Sequence, residues 1–166
     1  MDRRNVIALL AVASAAPAIA NSKEGVGDAE KEHAMQTLAI GTVALKTAKV
    51  AEEKAENAWV KKFAKYEVAE QTTIAEIFKS MGIEPPKLTD KHSNIIEKIK
   101  DAKAGASFDK EFLADQLDGH KELLKVQTTY MDKGKDEAAI NLSKLASAQI
   151  KEHIDLIETI QKQVKS

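Results

Sequence analysis

Residues 107–131 read SFDKEFLADQLDGHKELLKVQTTYM. At about 100° per residue, Phe112, Leu113, Gln116, Leu117, His120, Leu123, Leu124, Gln127, Tyr130 and Met131 share one broad face. Lys110, Asp115, Asp118, Lys121, Glu122, Lys125 and Asp132 fall elsewhere. The spacing predicts a long amphipathic helix with Ser107 as its N-cap. His120 sits at the centre of the apolar arc, where a titratable ring is least expected.

Beyond this stretch, Lys133-Gly134-Lys135 reads as a tight turn with Gly134 as the residue that ends the helix. Asp136 then caps a last helix to about Val164. Its apolar face carries Leu142, Ala146, Gln149, Ile150, His153, Leu156, Ile157 and Ile160, so a histidine and a glutamine again occupy the stripe. Before the opening stretch, a passage from Gly82 to Ala106 holds Pro85-Pro86 and a short helix, Lys91 to about Ala102, capped by Thr89 or Asp90. A helix from Ala58 to Met81 precedes it, with Val60, Phe63, Ala64, Ile74, Phe78 and Met81 on one side. Glu67 lies in the middle of that arc, flanked by Glu70 and Gln71. The first helix, about Ala29 to Glu56 behind Asp28 as N-cap, has apolar residues so widely spread that its pattern fixes no single core face. Only Glu56-Asn57-Ala58 separates it from the second, which predicts an antiparallel hairpin, one continuous bent helix being the alternative.

Four long helices, two short turns and one long connection predict an all-α, ferritin-like four-helix bundle with a long crossover containing a short extra helix. An up-down-up-down bundle, the second choice, would need only a short middle loop. The composition agrees: seven glycines, three prolines and 4% aromatic residues in 166 argue against a turn-rich sheet protein. A net charge of −1 gives no field that would draw nucleic acid. The absence of cysteine excludes disulfides, thiolate metal sites and thiol nucleophiles.

The N-terminus reads as a targeting segment. Arg3-Arg4 is a basic lead, residues 6–16 form a short apolar run, and Ala18-Ile19-Ala20 supplies the small residues of a cleavage site. The run is too short to span a bilayer, although a retained anchor is the competing reading. The expected organisation is therefore a signal peptide over residues 1–20, a flexible lead-in over 21–27 and a helical bundle over 28–166. The mature chain would be exported to the periplasm or outer envelope, with no transmembrane segment of its own.

Three helices place a polar pair at i, i+4 on their core faces: Glu67/Gln71, Gln116/His120 and Gln149/His153. Counting from a turn near Gly134 sets His120 level with Gln149 and His153 about one turn, roughly 6 Å, away. Glu67, His120 and His153 are the expected ligands of a mononuclear metal site, with Glu70, Gln116 and Gln149 as neighbours. Imidazole nitrogen and carboxylate oxygen suit Fe, Zn, Mn or Cu. The competing reading is a hydrogen-bonded layer that only fixes helix register in a structural or interaction protein of the envelope, with an envelope partner or a second copy of the chain. Di-iron bundles require Glu-x-x-His on two helices. Here Leu117 and Ile150 stand three residues before the histidines, so a di-iron centre is not expected, and no catalytic residue is assigned. His33 and His92 are expected to be solvated, and Trp59 and Tyr66 to lie in the core or at its rim.

Phe108 to His120, FDKEFLADQLDGH, resembles the FD-x-x-[YF]-x…H motif of a ferritin-like family of exported bacterial proteins, catalogued as a domain of unknown function and often labelled outer membrane proteins. Asn57 to Ala64, NAWVKKFA, is similar to that family's N-x-x-V-[KR]-x-F-A opening of the second helix. Gly82 to Pro86, GIEPP, is similar to its G-[VI]-x-x-P exit, and His153 to its late histidine. Gln71 stands where the family usually has a histidine, Ala44 stands near its early glutamate, and its late LP is missing. The resemblance implies a ferritin-like fold and export, with the family's metal site depleted in this member and no settled activity to carry over.

Overall fold

The computed structural model describes residues 27–165; the expected signal peptide and all of the lead-in except Gly27 lie outside them. The described chain forms five helices: α1 (Asp28–Lys54), α2 (Ala58–Ser80), α3 (Asp90–Asp101), α4 (Ala106–Lys133) and α5 (Glu137–Lys165). α1 and α2 are separate helices joined by a three-residue turn, so the hairpin holds and the single bent helix does not. Side-chain pairs set the directions. His33 meets Gln127 and Thr47 meets Gln116, so α1 and α4 are antiparallel. Glu67 meets His153 while Glu70 meets Gln149, so α2 and α5 are antiparallel too. The long helices therefore run up, down, down, up. α2 ends at the far end of the bundle from the start of α4, and residues 81–105 carry the chain back, with α3 packed on α1 and α4.

Local chemistry sets the helix ends. Asn57 Oδ1 accepts from the amides of Trp59 and Val60 and so starts α2, and Thr89 Oγ1 does the same for α3 through His92 N. Asp136 Oδ1 accepts from Ala139 N at 2.7 Å, as expected for the cap of α5. Two expected caps differ. Gly27, not Asp28, precedes α1, and Asp28 is its first helical residue, where its charge favours the positive end of the helix dipole. Gly105, not Ser107, precedes α4, at φ 129°, a conformation closed to residues with a Cβ, so Ser107 already lies inside the helix. Gly134 ends α4 with an ordinary φ of −65°. Close packing, not a left-handed turn, selects glycine there, because an added Cβ would lie 2.6 Å from the Tyr130 ring.

Each hairpin turn is held by a carboxylate from the other hairpin. Asp109 on α4 is 2% exposed and accepts from the amides of Glu56 and Asn57, at 3.2 and 2.8 Å, in the α1–α2 turn. Glu30 on α1 accepts from the Tyr130 hydroxyl and from the amides of Lys135 and Asp136 in the α4–α5 turn. Those backbone donors hold the Glu30 carboxyl below its ordinary value. Asp109→Ala would leave two amides without their acceptor. It is expected to cost about 2–3 kcal/mol in urea unfolding, against well under 1 kcal/mol for exposed Asp132→Ala.

The main core joins Ala48 and Ala51 of α1, and Ala55 just past its end, to Phe63, Phe108, Phe112 and Ile157. The face that the sequence left open on α1 is thus its small-residue side, where alanine and buried Thr47 let neighbouring helices approach. α5 departs from expectation. Its buried line runs through Ser143, Ser147, Ile150, Ile157 and Ile160, while Leu142 and Leu156 are 50% and 42% exposed and Gln149 is exposed. Helix α5 packs chiefly on α4, so the buried arc is narrower than the apolar one and centres on the small serines. Met81, placed on the α2 face by periodicity, is exposed just past the end of that helix. Trp59 and Tyr66 are exposed as well, with the Lys62 ammonium 5.2 Å from the Trp59 ring.

Candidate metal centre

Glu67 projects from the middle of α2, completely buried, toward the gap between α4 and α5. His120 of α4 and His153 of α5 meet it there. His120 Nε2 and His153 Nδ1 are 3.2 Å apart, and each lies 3.5 Å from Glu67 Oε2. The two rings thus meet although the count from the turn set them about a turn apart, because side chains lean toward the N-terminus of their own helix and so, in this antiparallel pair, toward each other.

The outer atoms of the same side chains are already committed. His120 Nδ1 donates to the Gln116 carbonyl at 2.8 Å, which leaves Nε2 as the free lone pair. His153 Nε2 faces Glu70 Oε2 at 3.5 Å, which orients Nδ1 inward. Gln71 Nε2 donates to Glu67 Oε1 at 3.0 Å. Glu67 Oε2 has no hydrogen-bond partner despite full burial. Three lone pairs thus point at one spot, each fixed from behind by an outer partner, as metal ligands require. A tetrahedral site with bonds of about 2.05 Å has ligand–ligand edges of about 3.3 Å. Edges of 3.2, 3.5 and 3.5 Å fit such a site closely.

Electrostatics points the same way. Burial by itself would raise the Glu67 carboxyl, but the two imidazoles facing it outweigh burial and hold it at about 2. The Glu67 carboxylate raises His153 above its ordinary value against the opposing effect of burial, with Glu70 assisting. Glu70 itself is raised by burial and by the charge of Glu67. The group is built to hold positive charge beside a permanent carboxylate.

Of the expected neighbours, Glu70 backs His153, and Gln149 donates to Glu70 at 2.7 Å from an exposed position. Gln116 touches the trio through its carbonyl, while its amide nitrogen donates to Thr47 Oγ1 at 2.9 Å. Gln71 belongs to the site as the residue that orients Glu67. Its position depends on Gly41, since a Cβ there would overlap Gln71 Oε1. Gly41→Ala gains about 1 kcal/mol of helix propensity but must displace Gln71. Metal affinity is expected to fall about tenfold, with melting of the metal-free protein changed little.

His33, expected in solvent, is half-buried. It stacks on Tyr130 at 4.1 Å, and its Nε2 donates to Gln127 Oε1 at 2.8 Å. It stands well apart from the trio and belongs to the clamp end of the bundle. Periodicity also missed Asp109, although residues 109, 112, 113, 116 and 120 follow one helical face, so a carboxylate on the apolar arc was there to be seen. The FD block thus divides by role: Phe108 and Phe112 fill the core, Asp109 ties the turn, and His120 is its member of the trio, held by the Gln116 carbonyl.

Fold and site together define a class: among the described residues, an all-α bundle of five helices with a buried two-histidine, one-glutamate group able to hold a metal ion. The chain belongs to the family described as a domain of unknown function (DUF4142), whose profile matches residues 14–160. No curated protein and no solved structure matches it.

Proposed function

We propose that this protein is an exported, ferritin-like helical bundle that binds one transition-metal ion through Glu67 Oε2, His120 Nε2 and His153 Nδ1. The observation that carries the reading is the convergence of three inward lone pairs, one on a fully buried carboxylate oxygen that makes no hydrogen bond. Two imidazoles and one carboxylate suit Zn, Fe, Mn or Cu, and three protein ligands leave room for an exogenous one. The up-down-down-up order with its long crossover supports the ferritin-like assignment. Export rests on the apolar run of residues 6–16 behind Arg3-Arg4. A mature protein beginning at Asn21 in the periplasmic fraction is the expected result, and an intact N-terminus would overturn it.

Metal analysis of the purified protein, followed by titration of the stripped form with Zn²⁺ and Co²⁺, tests the site. One ion per chain is expected, lost in His120→Ala and His153→Ala. Affinity should weaken as pH falls through the histidine range, because protons compete for the imidazoles. Absence of binding in the folded protein would leave the trio as a buried polar layer that fixes register.

A further inference from the structure

Beside the trio, a cavity of about 200 Å³ opens between α1, α3 and α4, reaching Glu67 and His120 but not His153. It has room for about six water molecules. Two features of its wall have no use in packing. Gln116 is 3% exposed, yet its Oε1 has no partner. Its amide orientation is fixed, since Nε2 donates to Thr47 Oγ1, whose own proton goes to the Val43 carbonyl at 2.9 Å. The one polar atom of this cavity-lining side chain without a partner is therefore an acceptor that asks for a donor. Gly119, one residue before His120, also lines the cavity, and a Cβ built on it meets nothing within 4 Å. Glycine in mid-helix costs about 1 kcal/mol relative to alanine, and no neighbour here requires it.

We infer that this cavity is the chamber for a small protic ligand of the bound metal, with Gln116 Oε1 accepting its hydrogen and Gly119 holding the passage open. The inference rests on the metal reading above and adds the second ligand to it. A compact molecule with one metal-binding lone pair and one N–H or O–H meets both the metal position and Gln116 Oε1. At the rim, the Lys91 ammonium is already paired with Glu122 at 3.1 Å.

Imidazole and N-methylimidazole, which differ in that hydrogen, probe the chamber in the Co²⁺-loaded full chain by visible absorption. Imidazole is expected to bind about tenfold tighter than N-methylimidazole, and Gln116→Met to abolish the preference while retaining Co²⁺. Gly119→Leu, whose Cβ meets nothing within 4 Å and whose branch extends into the passage, is expected to lose both probes and keep the metal, with Gly119→Ala close to wild type. Equal binding of the two probes, or undiminished binding in Gly119→Leu, overturns the chamber and leaves the metal site standing. Failure of Co²⁺ to bind at all overturns both.

Discussion

Saturating Zn²⁺ is expected to raise the melting temperature of the metal-stripped protein by about 10 °C, and Glu67→Gln to remove most of that rise. An ion that binds only the folded chain stabilises it by RT ln(1 + [L]/Kd), about 4 kcal/mol at a thousandfold excess over Kd. In a protein of this size each kcal/mol moves the transition by about 2–4 °C. Glutamine keeps the shape and the contact with Gln71 but removes the charge that balances the cation. Differential scanning calorimetry of both proteins, with and without EDTA, reads the result. Equal transitions for the wild type with Zn²⁺ and with EDTA would refute the site.

In the metal-free protein, His153→Leu is expected to cost about 3 kcal/mol, and the double change Glu67→Leu/His153→Leu much less. The single substitution strands Glu67 Oε2, fully buried, with His120 as the one imidazole left beside it. Breaking a buried ion pair on one side is costly, whereas replacing both partners with apolar groups is often near neutral. The pH dependence follows from the two shifts. Glu67 lies below its ordinary 4.5, so its contribution is complete above that pH and is lost as pH falls toward about 2. His153 lies above its ordinary 6.5, so its contribution is complete below that pH and is lost as pH rises through the raised value. The trio's contribution to metal-free stability should therefore peak between 4.5 and 6.5 and decline on either side. Urea midpoints across pH, compared with the flatter profile expected of the double variant, check the sign. Zn²⁺ reverses the alkaline limb, since deprotonated imidazoles bind it best.

These effects meet in one buried spot that is partly visible from residue types alone. Glu67, His120 and His153 each interrupt an otherwise apolar arc, and a polar group at such a position must find a partner inside. What periodicity does not register is which polar side chain finds which. Gln149 looked equivalent to Gln116, yet one lies on the surface beside Glu70 and the other is buried against Thr47. The apolar arc of α5 exceeds the strip that other helices cover, so local pattern alone misjudged Leu142 and Leu156, while Met81 lies just past the end of α2.

The sequence by itself determined the five helices, their turns and the three residues of the trio, because helix period, capping and the cost of burying charge act over a few neighbouring residues. Only the tertiary structure decided the rest. It brought His153 to His120, sent Asp109 and Glu30 to clamp the opposite turns, and opened the cavity lined by Gln116, Gly119, Glu67 and His120. Those arrangements depend on how far one helix slides along another. That displacement is settled by the summed packing of side chains many residues apart, which no local stretch contains.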